Sequence, residues 1–218
     1  MQELASGRIN WKTVAFRAAV LAAVVCVNSI IVLASSRYTG GFAAFWSANA
    51  CLVFVLIISP KQEHPYYLAI TFLASLGVNL SVDFAPSVDV AFSLSNILEA
   101  WLACRIMQRL GIAKSGMFSP AEIVQFGVVA AFVSAISAST SLLGGTASPL
   151  DDWMSWFASD LLGLMIFLPC FTVIHGLILD GNLFAKLKFK RLEFAGLALL
   201  NAAFAISVFC QATVPLLF

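Results

Sequence analysis

The stretch FASDLLGLMIFLPC, residues 157–170, is almost wholly apolar, yet it carries Asp160 near its start. A run this greasy reads as part of a membrane span, because a spanning helix needs about 20 mostly apolar residues. The rest of the chain agrees. Of 218 residues, 61% are hydrophobic and 11% are charged, and mean hydropathy is +0.96. Soluble domains carry about 45–50% apolar and about 25% charged residues. The expected fold is therefore all-α, a polytopic transmembrane helical bundle forming a single domain over 1–218. Neither the net charge of +1 nor its distribution suggests a nucleic-acid surface.

Working outward from residues 157–170, seven segments are apolar and long enough to span: 12–35, 43–59, 65–83, 90–110, 121–143, 153–179 and 192–215. Punctuation separates most of them: Gly40-Gly41, Pro60, Pro65, Pro86, Ser119-Pro120, Gly144-Gly145 with Pro149, and Asp180-Gly181-Asn182. Helix is the default because an unpaired backbone group in lipid costs several kcal/mol.

Lysine and arginine set the expected orientation. With a cytoplasmic N-terminus, Arg8, Lys12, Arg17, Lys61, Arg105, Arg109, Lys114, Lys186, Lys188, Lys190 and Arg191 all fall inside, and Arg37 alone falls outside. The outer loops are acidic, with Asp83, Asp89, Asp151 and Asp152. Trp46, Trp153 and Trp156 lie near the outer interface and Trp11 near the inner one, as an aromatic belt would. Seven spans from a cytoplasmic start leave the apolar end QATVPLLF outside, which leads us to expect an eighth span, and whatever follows it, beyond Phe218, the alternative being a genuine seven-helix protein.

A helix rises about 1.5 Å per residue. Asp160 is then about 12 Å inward from Asp152, and Glu99 about 15 Å inward from Asp89. Both carboxyls should lie in the outer half of the bilayer or at its midplane. Asn49, Asn79 and Asn96 reach comparable depth, and Asn96 precedes Glu99 by three residues on one face. Trp46, Trp156 and Gly163 extend these stripes as helical neighbours. No Lys or Arg falls at that depth. An unpaired carboxylate there costs roughly 2.5–3.5 kcal/mol on insertion scales. At least one of Glu99 and Asp160 is therefore expected to hold a proton at neutral pH.

The plain alternative for the asparagines is interhelical glue, worth about 0.6 kcal/mol on average. Two acids exceed what glue requires, since an intramembrane acid is by default a functional hypothesis. Other features read as structure. The small residues AAFVSAISASTS at 130–141 allow close helix approach, within the chain or across a dimer. The basic run KLKFKR at 186–191 is topogenic and suited to anionic lipid. Pro169 should kink its helix. Cys26, Cys51, Cys104, Cys170 and Cys210 sit singly in apolar runs, so no metal site is expected. No nucleotide, nucleophile-elbow or zinc-protease motif is present, so neither an enzyme nor a cofactor is expected.

Four blocks in order carry a resemblance: FWSANACLVF at 45–54, YLAITFLASLGVNL at 67–80, FSLSNILEAWLACRIMQRL at 92–110 and WFASDLLGLMIFLPC at 156–170. Over about positions 40–215 the chain resembles the MASE family, the first-described class of bacterial membrane-associated sensor domains. The family's Asn-x-x-Glu-Ala block matches Asn96, Glu99 and Ala100. Its acid-x-x-Gly block ending in proline matches Asp160, Gly163 and Pro169. Trp46 and Asn79 match its tryptophan and third-span asparagine. The resemblance implies an eight-helix sensory module of the bacterial inner membrane. Such modules precede cytoplasmic GGDEF or EAL domains of cyclic di-GMP signalling, or a histidine kinase of a two-component system.

The expectation is thus a sensor module in the lipid bilayer, homodimeric in the full-length protein. A signal would enter between the second, third, fourth and sixth spans. Trp46, Asn49, Asn79, Asn96, Glu99, Trp156 and Asp160 would bind a small cationic or hydrogen-bond-donating ligand, with Gly163 and Pro169 as structural residues. A transporter with a midplane acidic site and a membrane scaffold recruiting partner proteins are the rival readings.

Overall fold

A computed structural model describes residues 9–39, 46–81, 85–112, 120–145 and 148–180. Among the described residues there is helix and no strand. Six α-helices follow in order among the described residues: α1 Trp11–Thr39, α2 Ser47–Ile58, α3 His64–Asn79, α4 Pro86–Leu110, α5 Pro120–Ser141 and α6 Pro149–Asp180. One-turn 3₁₀ segments, Lys61–Glu63 and Leu142–Gly144, join α2 to α3 and extend α5. Prolines open α4, α5 and α6 and follow the first residue of α3. They fit the first turn because its N–H groups have no intrahelical partner. The seventh expected span, 192–215, and the basic run at 186–191 lie outside the described residues.

The helices run up and down. Arg17 near the start of α1 meets Ser59 at the end of α2, while Asn28 further along α1 meets Ser47 at the start of α2. Asn79 at the end of α3 meets Ser93 in the first turns of α4. Lys12, Arg17, Lys61, Arg105 and Arg109 therefore gather at one end of the bundle, and Asp89, Asp151 and Asp152 at the other.

Among the described residues, four segments are long and apolar enough to cross a membrane: Trp11–Ile31, Pro86–Leu110, Ala121–Gly144 and Pro149–Gly176. Their outward faces are apolar too. On α5, Val124, Val128 and Phe132 recur every four residues and are exposed, while Phe126, Ala130 and Val133 are buried. A helix apolar on both its packed and its outward face suits lipid as solvent. α2 is different. Its 12 residues span only about 18 Å, and Ala48 through Val53, Val55 and Leu56 are all buried. It packs against α1, α3, α4 and α6 and forms the centre of the bundle.

The start of α2 is built by other helices. Trp46 supplies no side-chain cap. Instead Asn28 Oδ1 on α1 accepts the Ser47 backbone N–H at 2.9 Å and also its hydroxyl. Trp46 N–H donates to the Ser159 carbonyl on α6 at 3.1 Å. One turn further, Gly163 brings the α6 backbone against Trp46, where a Cβ would sit 2.8 Å from the Trp46 carbonyl carbon. α6 runs on through Pro169 without a break in the helix.

Candidate functional site

Glu99 projects from α4 and Asp160 from α6, and the two buried carboxyl groups are neighbours close enough to interact. Glu99 is 0% exposed and Asp160 2%. α4 aims Glu99 inward because Asp89, Ser93, Asn96, Glu99, Ala100 and Ala103 repeat at helical spacing and are all buried. α6 aims Asp160 inward beside Ser159 and Leu164, with Met165 and Ile166 facing out.

The remaining carboxyl valence is answered by neutral donors. Asn49 on α2 donates from Nδ2 to Glu99 Oε2 and to Asn96 Oδ1 at 3.0 Å. Ser134 on α5 donates to Glu99 Oε1 at 2.7 Å. Ser137, one turn on, donates to Asp160 Oδ2 at 2.8 Å. Trp46 Nε1 donates to Asn49 Oδ1 at 3.2 Å, and Trp156 Nε1 donates to Ser137 Oγ at 3.0 Å. The ion pair found among the described residues, Arg17 to Glu63, lies at the opposite end of the bundle. The geometry is that of two neighbouring buried acids inside a shell of amides and hydroxyls.

Of the expected binding residues, Trp46, Asn49, Asn96, Glu99, Trp156 and Asp160 converge. Asn79 does not. It is half-buried and donates to Ser93 Oγ at 3.2 Å and to the Asp89 carbonyl at 3.4 Å, nearer the outer end. α5 replaces α3 as the fourth wall. Ser134 and Ser137 lie in the small-residue stretch read from sequence as packing, and both are fully buried. Their spacing with Ser141, also buried, marks one helical face, and that periodicity was the available signal.

Asp89 also departs from expectation. The sequence reading placed it in an outer loop, but α4 begins at Pro86 and includes it. It is 1% exposed, and its Oδ1 has no hydrogen-bond partner among the described residues. Asp83 lies outside them. No group of three or more His, Cys, Asp or Glu suited to a metal occurs among the described residues.

A second polar cluster sits at the basic end, where none was expected. Glu63 Oε2 accepts from Tyr67 Oη at 2.7 Å and lies 3.6 Å from Arg17 Nη1. Arg17 also donates to Ser59 Oγ at 2.9 Å, and His64 Nε2 lies 3.3 Å from the Ser59 carbonyl. The cluster ties α1 to the α2–α3 connection. Comparison with protein-family models, characterised proteins and solved structures finds no match to this chain, so the site is interpreted on its own geometry.

Proposed function

We propose that this chain is a membrane-embedded sensory module and that the Glu99–Asp160 pair is its responsive element. The observation that carries the reading is the meeting of two buried acids from separate helices with no cation beside them among the described residues. Such a pair is sensitive to anything that adds or removes positive charge, because ionising both acids in a dry interior is strongly unfavourable. The signal is a small cationic or hydrogen-bond-donating group, and the proton is the smallest that fits between neighbouring carboxyls. Occupancy favours one packing of α4 against α6, and loss of occupancy favours another. A ligand shifts such an equilibrium only through its differential affinity for the two packings. The packing change would bias a cytoplasmic signalling domain of the cyclic di-GMP or histidine-kinase kind, from a bacterial inner membrane, as the resemblance implies.

Complete burial of the acids favours a second reading, a scaffold that recruits partners through its spans and keeps the pair as structure. Substitution in the full-length protein separates the two. Under the sensory reading, Glu99→Gln and Asp160→Asn mimic the proton-loaded state and fix the output at one level across a signal-responsive assay. Normal response from both variants at wild-type abundance would remove the pair from signalling and leave the scaffold.

A further inference from the structure

The last turns of α4 carry Trp101, Arg105 and Arg109 at four-residue spacing, and all three are exposed. Lys61, on the 3₁₀ turn between α2 and α3, comes alongside them. Together with Leu102 and Ile106 they line a groove of about 590 Å³ at the basic end of the bundle. The Arg105 guanidinium lies over the Trp101 ring, 5.7 Å from its centroid.

None of the three cations has a carboxylate partner among the described residues. Glu63 is two residues from Lys61 but is engaged by Arg17 and Tyr67. Uncompensated positive charge at a membrane protein's interfacial end, set beside apolar walls, has two complementary halves. Guanidinium and ammonium groups bind phosphate oxygens. Leu102, Ile106 and the Trp101 ring offer an acyl chain an apolar track, and tryptophan rings sit by preference at headgroup level.

We infer that the groove between Lys61 and the Trp101–Arg109 face of α4 binds the headgroup of an anionic phospholipid, its phosphate held by Lys61, Arg105 and Arg109. This site is separate from the acid pair and does not depend on its role. Three cations select a net-negative lipid over a zwitterionic one, whose own ammonium group they repel. A free phosphate would use the cations alone and leave the apolar track empty.

The test is native mass spectrometry of the intact chain released from nanodiscs of equimolar phosphatidylglycerol and phosphatidylcholine. The expected result is at least about tenfold preferential retention of phosphatidylglycerol, given about 1 kcal/mol per basic residue near an anionic surface. The triple variant Lys61→Gln, Arg105→Gln, Arg109→Gln should bring the ratio within about twofold. Arg105→Lys with Arg109→Lys, which keeps the charge, should retain most of the preference. Lys12→Gln, an exposed cation at the same end, should leave it unchanged. Equal retention of the two lipids by the wild-type chain overturns the proposal without recourse to any variant. Displacement of phosphatidylglycerol by millimolar inorganic phosphate would assign the groove to a soluble anion instead.

Discussion

Gly163 on α6 lies directly against the backbone carbonyl of Trp46, the residue that opens α2. A Cβ at this position would stand 2.8 Å from the Trp46 carbonyl carbon and 3.3 Å from its nitrogen. The neighbour is backbone, so it cannot move aside as a flexible side chain would. The contact seats the start of α2 at the level of Asn28 and Ser159, and so fixes the height at which Asn49 meets Glu99.

Gly163→Ala is accordingly expected to destabilise the fold by about 1–3 kcal/mol, the usual cost of overpacking. Gly77, on α3, has nothing within 4 Å of a built Cβ. Gly77→Ala should be neutral or stabilising by up to about 1 kcal/mol, because alanine is the better helix former. Thermal melts of the two variants in the same detergent compare them directly. Equal midpoints would show that the Trp46 contact does not constrain the bundle.

Ser134 and Ser137 each satisfy a buried carboxyl oxygen. Ser134→Ala and Ser137→Ala should each cost about 1–3 kcal/mol, the penalty of leaving a buried polar group without its partner. Ser139, on the exposed side of the same helix, bonds its own backbone at the Ala135 carbonyl and accepts from Trp153 Nε1 at 3.1 Å where water can replace it, so Ser139→Ala should change stability by less than about 1 kcal/mol. The order of the three midpoints is the measurement. Indistinguishable values would mean that α5 contributes only close packing.

At the basic end, Arg17→Gln leaves Glu63 buried without a cation among the described residues. Breaking a fully buried pair costs about 3–5 kcal/mol. The Arg17 side chain is 26% exposed, so solvent screening lowers the expectation to about 1–3 kcal/mol. Adding Glu63→Gln should recover part of that loss, and a double-mutant cycle reads the coupling. Strictly additive losses would show that the two side chains are neighbours without interaction.

Much of the site was legible because one physical constraint acts on it. Helical rise places Asn49, Asn96, Glu99 and Asp160 at a common depth, and lipid penalises polar groups there, so depth alone groups them. Ser134 and Ser137 escaped because serine in an apolar helix reads equally as a small packing residue. Asp89 was misplaced because Pro86 reads as punctuation between spans, whereas it opens α4. The Asn28 cap on α2 and the Arg17–Glu63–Tyr67 cluster join residues far apart in the chain or in a turn that reads as exposed. No local pattern announces either. Of the fold, the helical class and membrane-length segments were plain from hydropathy. The shortness of α2 was not, because the residues before it, 42–46, are apolar as well.

Orientation rests on the distribution of Lys and Arg and is testable with single cysteines on a cysteine-free background. Leu143 is exposed beyond α5 at the acidic end, and Lys61 is exposed at the basic end. A membrane-impermeant maleimide applied to whole cells should label Leu143→Cys and spare Lys61→Cys until the membrane is permeabilised. The reverse pattern would put the basic end outside and overturn the cytoplasmic start.

The proposal on which the account rests is that the neighbouring acids Glu99 and Asp160 share a single proton across α4 and α6. Infrared difference spectra in the protonated-carboxyl region, recorded at neutral pH for wild type, Glu99→Gln and Asp160→Asn, test it most directly. The account predicts one band that disappears in both variants, because each removes half of the same pair. Two different bands, one lost in each variant, or no band lost in either, would contradict it.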